Sequence, residues 1–318
     1  TYVELLSELE PGIHLLSLVA ERNSLLLNVK LLDEYVDLLT NGYNLRRMLD
    51  SLPRKLGIVN HTVYTAEVKD GALTLRAEDT REWYDHIGIM ESGHAYLRVY
   101  LPTKSYESLT VDVTTGDVTV GRDFSFSGNV TLSVTTGDVT LSASVQGDAR
   151  LKATTGDILV EGTHQAVTVT AGTGDVTVRG SETDSLSVTT GSGDVTLEEL
   201  TAAGVIRVKT TTGEQSLRRV ICDELDLDVN TGDVTLTDTV ASGSIRAETT
   251  TGDVTLTRSD AATLYLKTTS GAVTGSLLTP KIFYTDTTSG SVSVPKYTEG
   301  GICEIKTTSG DIRITVQE

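Results

Sequence analysis

From Leu109 onward the chain alternates apolar and polar residues in blocks that return every 18 to 21 residues. A glycine centres each block, at positions 116, 137, 156, 174, 193, 213, 232, 252, 271, 290 and 310. Seven residues before the glycine an apolar residue stands in every copy, from Leu109 and Val130 to Phe283 and Cys303. Five before it the column runs Val111, Leu132, Leu151 and on, with Thr285 its one polar member. Two after it Gln215 alone interrupts a run of Val and Ile, and four after it Gly275 alone interrupts an aliphatic column. Thr, Ser, Asp, Lys and Arg fill the places between. This period-two alternation on both sides of the glycine predicts two short strands per repeat, each with one buried face.

The Thr-Thr-Gly-Asp or Thr-Ser-Gly segment between the strands is a turn. Glycine takes backbone angles closed to other residues, and Asp or Ser hydrogen-bonds a nearby main-chain amide. An antiparallel meander and a parallel coil both fit such a unit. The coil is favoured, because a meander needs a second regular tight turn and the links at 142–148, 161–166 and 257–263 share none. A fixed period over eleven copies marks a solenoid. The expected fold is an all-β solenoid, a parallel β-helix of about eleven 19–20-residue coils with a helical N-terminal segment.

That segment, residues 1–57, is Leu-rich and lacks the repeat. Leu25, Val29, Leu32, Val36 and Leu39 fall at helical steps, with Asn23-Ser24 as N-cap and Asn41-Gly42 as a stop. A helix is expected over about 24–40 and a shorter one over about 43–51; a β-hairpin around Arg22-Asn23 is the alternative. The segment reads as a cap over the open edge of the first coil, or as a partner-binding helix. Residues 58–101 form a β lead-in, with Thr62–Val68, a Lys69-Asp70-Gly71 turn, Leu73–Arg76 and Tyr96–Leu101 as its strands, closed by Pro102. Residues 102–318 are the repeat domain.

Asp70-Gly71-Ala72-Leu73-Thr74-Leu75, Trp83-Tyr84-Asp85, Val99-Tyr100-Leu101-Pro102 followed by Tyr106, and the Thr-Thr-Gly-Asp-Val repeats come in an order that resembles a bacterial adhesin-type family of β-strand-repeat proteins, itself a domain of unknown function. The resemblance covers about residues 61–318 and does not reach the first 60. It implies a right-handed β-helix on the cell surface or in the envelope, and brings no catalytic residues with it.

Composition narrows the chemistry. Net charge is −18, which argues against nucleic acid, since a phosphate-binding face needs clustered Lys and Arg. The longest apolar stretch, 13–32, is broken by Glu21, Arg22, Asn23 and Lys30, so no transmembrane segment is expected in it. The chain starts at Thr1, not Met, which leaves room for an export signal or anchor outside the sequence given.

One column carries charge. The residue after the glycine is Asp117, Asp138, Asp157, Asp175, Asp194, Asp233, Asp253 and Asp311, with Glu214, Ala272 and Ser291 as exceptions. Stacked at about 4.8 Å, these carboxylates repel and suit a hard cation such as calcium. The blander reading, that each Asp satisfies its own turn, is favoured, and no cofactor is expected. Thr119, Thr140, Thr177, Thr196, Thr235, Thr255 and Thr274 form an outward column of good strand residues rather than an ice-binding array. His14, His61, His86, His94 and His164 show no metal spacing. His86 and His94 flank Trp83-Tyr84, a pair read as an anchor for the lead-in strands. Cys222 and Cys303 are expected as free thiols, since coils that far apart exceed the reach of a disulfide.

The expected function is therefore a non-catalytic, surface-exposed module: an adhesin, a spacer or an envelope-interaction domain, with a cell-surface glycan or protein as partner. The alternatives are a carbohydrate-active enzyme on the same scaffold, which needs converging acids in a groove, and an envelope stress or regulatory protein that binds a partner through residues 1–57.

Overall fold

The computed structural model describes residues 2–7, 13–19, 25–30, 62–69, 72–79, 96–102 and 105–317, and none of them is helical. They form turns of a parallel β-solenoid, about eleven in all, and antiparallel strands that precede them. The chain divides into two compact units, residues 1–158 with 162–165 and residues 159–161 with 166–318.

In the first unit the coils of Gly116, Gly137 and Gly156 stack in register. Val130 pairs with Leu109 on one side and Ala149 on the other, and Val139 pairs with Val118. Thr62–Lys69 and Ala72–Asp79 form a hairpin closing at Lys69 and Ala72, and Tyr96–Pro102 is a strand, as the alternation predicts. The helix expected over about 24–40 is not formed where its residues are described. Leu25–Lys30 is a strand, antiparallel both to Ala72–Asp79 and to Ser108–Thr115. Its Leu run carries helical spacing and strand alternation together, and two strand edges offer it ladder hydrogen bonds that a helix cannot make. Nor do residues 13–19 and 25–30 form a hairpin: Ile13–Val19 pairs with Tyr2–Ser7 and Tyr96–Pro102. The remainder of the expected helix and the one over about 43–51 lie outside the described residues.

The second unit holds the coils of Gly174, Gly193, Gly213, Gly232, Gly252, Gly271, Gly290 and Gly310. Its core is the set of aligned columns, with Leu186, Ile206, Leu225, Ile245 and Leu264 nearly or fully buried in one of them. Two features go beyond the sequence reading. The links between repeats are strand as well: Leu200 pairs with Val220 and Ile221 with Val240, so each turn carries a third wall, and Leu200, Ala202, Val220, Cys222 and Ala241 are buried along it. The last two coils are also out of chain order. Cys303 pairs with Leu264 on one side and Phe283 on the other, and Ile312 lies between Val273 and Val292. The Gly310 coil is thus inserted between the Gly271 and Gly290 coils. Val292, in the outermost of the three, stays 45% exposed where Val273 and Ile312 are fully buried.

Candidate functional site

The acidic column lies on the turns. Each glycine there extends into a conformation that L side chains avoid, and a Cβ on Gly252 (φ +144°) would lie 2.0 Å from the carbonyl oxygen of Gly232. Such close turns bring the amide after the glycine within reach of a carboxylate on the neighbouring coil. In the first unit Asp117 Oδ1 accepts the N–H of Asp138 at 2.9 Å, and Asp138 Oδ1 that of Asp157 at 2.8 Å. In the second, Asp175 holds Asp194, Asp194 holds Glu214, Asp233 holds Asp253 and Asp253 holds Ala272, at 2.7 to 2.8 Å. Asp311 accepts both the N–H and the hydroxyl of Ser291, bonds that hold its carboxyl below the usual carboxylate range. The expectation that each Asp serves its own turn is corrected: the carboxylate serves the next turn. Ala272 and Ser291 are tolerated because they receive such a bond through the backbone.

This ladder also bears on calcium. One oxygen of each named acceptor is committed to a backbone amide, and among the described residues no group of three or more His, Cys, Asp or Glu is placed to hold a metal ion. The Trp83-Tyr84 cluster with His86 and His94 lies outside the described residues, as does His61. Cys222 and Cys303 are free and buried, and burial pushes each thiol up to about 12.

A second ladder, absent from the sequence reading, runs along a corner of the second unit. Six residues after the glycine, Gly180, Glu199, Arg219, Asp238 and Arg258 all take left-handed backbone angles, φ 48° to 54°. The four side chains alternate in sign. Arg219 reaches Glu199 at 2.6 Å and Glu198 at 3.1 Å, and Arg258 grips both oxygens of Asp238 at 2.6 Å. The Arg258 hydrogen bond, with help from Arg219 and Arg218, holds the Asp238 carboxyl below its ordinary range. These are exposed pairs, which order a surface more than they stabilise a fold.

Polar side chains also enter the core. Thr249, Thr268 and Thr307, three residues before their glycines, donate to the glycine carbonyl of an adjacent coil at 2.9 to 3.0 Å. Gln215 is fully buried; its Nε2 donates to Thr210 Oγ1 at 3.1 Å and to the Asp228 carbonyl at 3.2 Å, while its Oε1 has no partner. The alternation on the glycine's N-terminal side, continued two residues further, marks this Thr column as inward; the turn reading of Thr-Thr-Gly-Asp obscured it.

No curated protein and no solved structure matches the chain. The family model described as Toastrack DUF4097, a domain of unknown function built of β-strand repeats, matches residues 58–218 and again 163–315. The overlap falls within the repeats, where one copy reads much like the next. Matched over most of its length by that model, and folded as its repeats require, the chain belongs to the Toastrack DUF4097 family.

Proposed function

We propose that the chain is a non-catalytic binding and spacing module, displayed on the outside of a bacterial cell or within its envelope, that works through the outer faces of its coils. The observation that carries this reading is how each coil uses its polar groups. The acids of the turn column accept backbone amides of the next coil, and those of the corner pair with Arg one coil away. Side chains so engaged build a regular, rigid, charge-patterned surface, the kind of extended face that solenoids use for binding. A cell-surface glycan or an envelope protein is the partner such a face fits, and adhesion is the activity it supports.

Binding of the purified chain to a broad glycan array and to isolated bacterial cell wall, with and without calcium, tests the proposal. Selective binding that is lost when outward residues of the coils are changed supports it. Turnover of any bound glycan would replace the binding module with an enzyme. Binding that requires only residues 1–57 would place the partner contact away from the coils.

A further inference from the structure

One ion pair of the second unit is unlike the rest. Lys281 Nζ lies 2.6 Å from Asp260 Oδ1, with the two side chains only 4% and 8% exposed. Pairs such as Arg219–Glu199 and Arg258–Asp238 keep their cations in water. Lys281 belongs to the Gly290 coil and Asp260 to the strand leading into the Gly271 coil, so the lysine crosses the inserted Gly310 coil to reach its partner. It crosses at Gly301, where its Cδ lies 3.2 Å from the point a Cβ would occupy.

Three hydrogen bonds close around the pair. Lys281 Nζ donates to Thr279 Oγ1 at 2.6 Å, the Thr279 hydroxyl donates to Asp260 Oδ2 at 2.7 Å, and the Ala261 N–H donates to Asp260 Oδ1 at 2.8 Å. The amine, the carboxyl group and a hydroxyl that bridges them are therefore held in mutual contact. Charges this far from water are held at a large desolvation cost. Passing one proton from Nζ to the carboxylate removes both charges and leaves an amine against a carboxylic acid.

We propose that Lys281 and Asp260 condense to an intramolecular isopeptide bond. The amine Nζ attacks Asp260 Cγ, a C–N bond forms and the Cγ–Oδ2 bond breaks. Of the two hydrogens on the amine, one stays in the amide; the other leaves with the Oδ2 hydroxyl as water. Thr279 touches both the nucleophile and the leaving oxygen, so its hydroxyl accepts the proton from Nζ as it gives its own to Oδ2. The Ala261 N–H faces Oδ1, where negative charge collects in the tetrahedral intermediate and where the amide oxygen remains. One water is released, and no oxidant, reductant or cofactor enters the balance. Cys303, the nearby nucleophile, stays a thiol because burial raises it to about 12. The bond would fasten the Gly271 and Gly290 coils together over the coil between them, locking the inserted repeat in place.

The mass of the intact, denatured full-length chain tests this directly. It is expected to be lighter than the sequence by one water. Trypsin should then leave Lys281 uncut and release Ser259–Lys267 joined to Thr268–Lys296. Lys281→Arg should restore the full mass, and Thr279→Val should slow accumulation of the deficit after refolding by about a hundredfold, the usual weight of one proton-transfer group. A wild-type chain at full sequence mass overturns the proposal, whatever the variants do. So does a deficit that persists in Lys281→Arg or maps to any other pair of peptides.

Discussion

The carboxylate of Asp233 accepts the backbone N–H of Asp253 at 2.7 Å, from one coil to the next. The bond is charge-assisted and recurs along the turns, so each aspartate fixes the spacing of its neighbour. Asp233→Ala should cost about 1 kcal/mol. Asp233→Asn, which keeps an acceptor oxygen, should cost less than half of that. Urea unfolding of the two variants checks the order, and equal losses would mean that the charge, rather than the hydrogen bond, is what matters.

Two glycines separate backbone strain from steric exclusion. Gly252 has φ +144° and a neighbouring carbonyl 2.0 Å from any added Cβ, whereas Gly180 has φ +54° and open space around it. Gly252→Ala should therefore abolish cooperative folding of its coils, while Gly180→Ala should cost about 1 kcal/mol, the penalty for a left-handed L residue. Thermal melts followed by circular dichroism distinguish the two.

Gln215 takes a place that Val195 and Val234 fill in the adjoining coils, and its Oε1 is buried without a partner. An orphaned acceptor costs about 1–3 kcal/mol, more than the modest net gain from the Nε2 contacts. Gln215→Met conserves volume and removes it. The variant should unfold at higher denaturant concentration than the parent, with the slope unchanged.

His164, in the first unit, is 3% exposed, and neither ring nitrogen reaches full hydrogen-bond geometry with the Gly162 and Ala143 backbone beside it. Burial pushes its pKa down from 6.5 to about 4, outweighing the opposing pull of the Gly162 and Ala143 backbone. The unfolded chain therefore takes up this proton first as pH falls. Stability should be complete above about pH 6.5 and should decline by at most about 3 kcal/mol as pH drops to about 4. His164→Leu should flatten that window in a series of denaturation curves; an unchanged slope would show that the histidine is protonated without loss.

The repeat was legible because one buried position recurs every other residue and one glycine recurs every coil. Val195 and Leu225 are inward in the structure as their alternation says. The third wall was not legible, because Leu200, Val220 and Thr239 share burial but not chemistry. The aspartate column was visible, yet its partner was not: sequence shows that Asp follows Gly, but only stacking brings the amide of Asp253 to Asp233. Leu25–Lys30 misled because a Leu run satisfies helix and strand alike, and the choice was made by strands distant in sequence, at Ala72–Asp79 and Ser108–Thr115. The Asp260–Lys281 pair was hidden for the same reason, being set by a coil order that no local pattern encodes.

That coil order has a kinetic consequence. Residues 301–316 leave the ribosome after residues 281–293, yet they belong between those residues and the Gly271 coil. This end of the molecule cannot grow by adding one coil to the last. It must either keep a gap open with two bare strand edges or first stack the Gly290 coil and later part it. Completion then waits on a single late insertion, and residues 301–316 act as a latch that closes between coils already made.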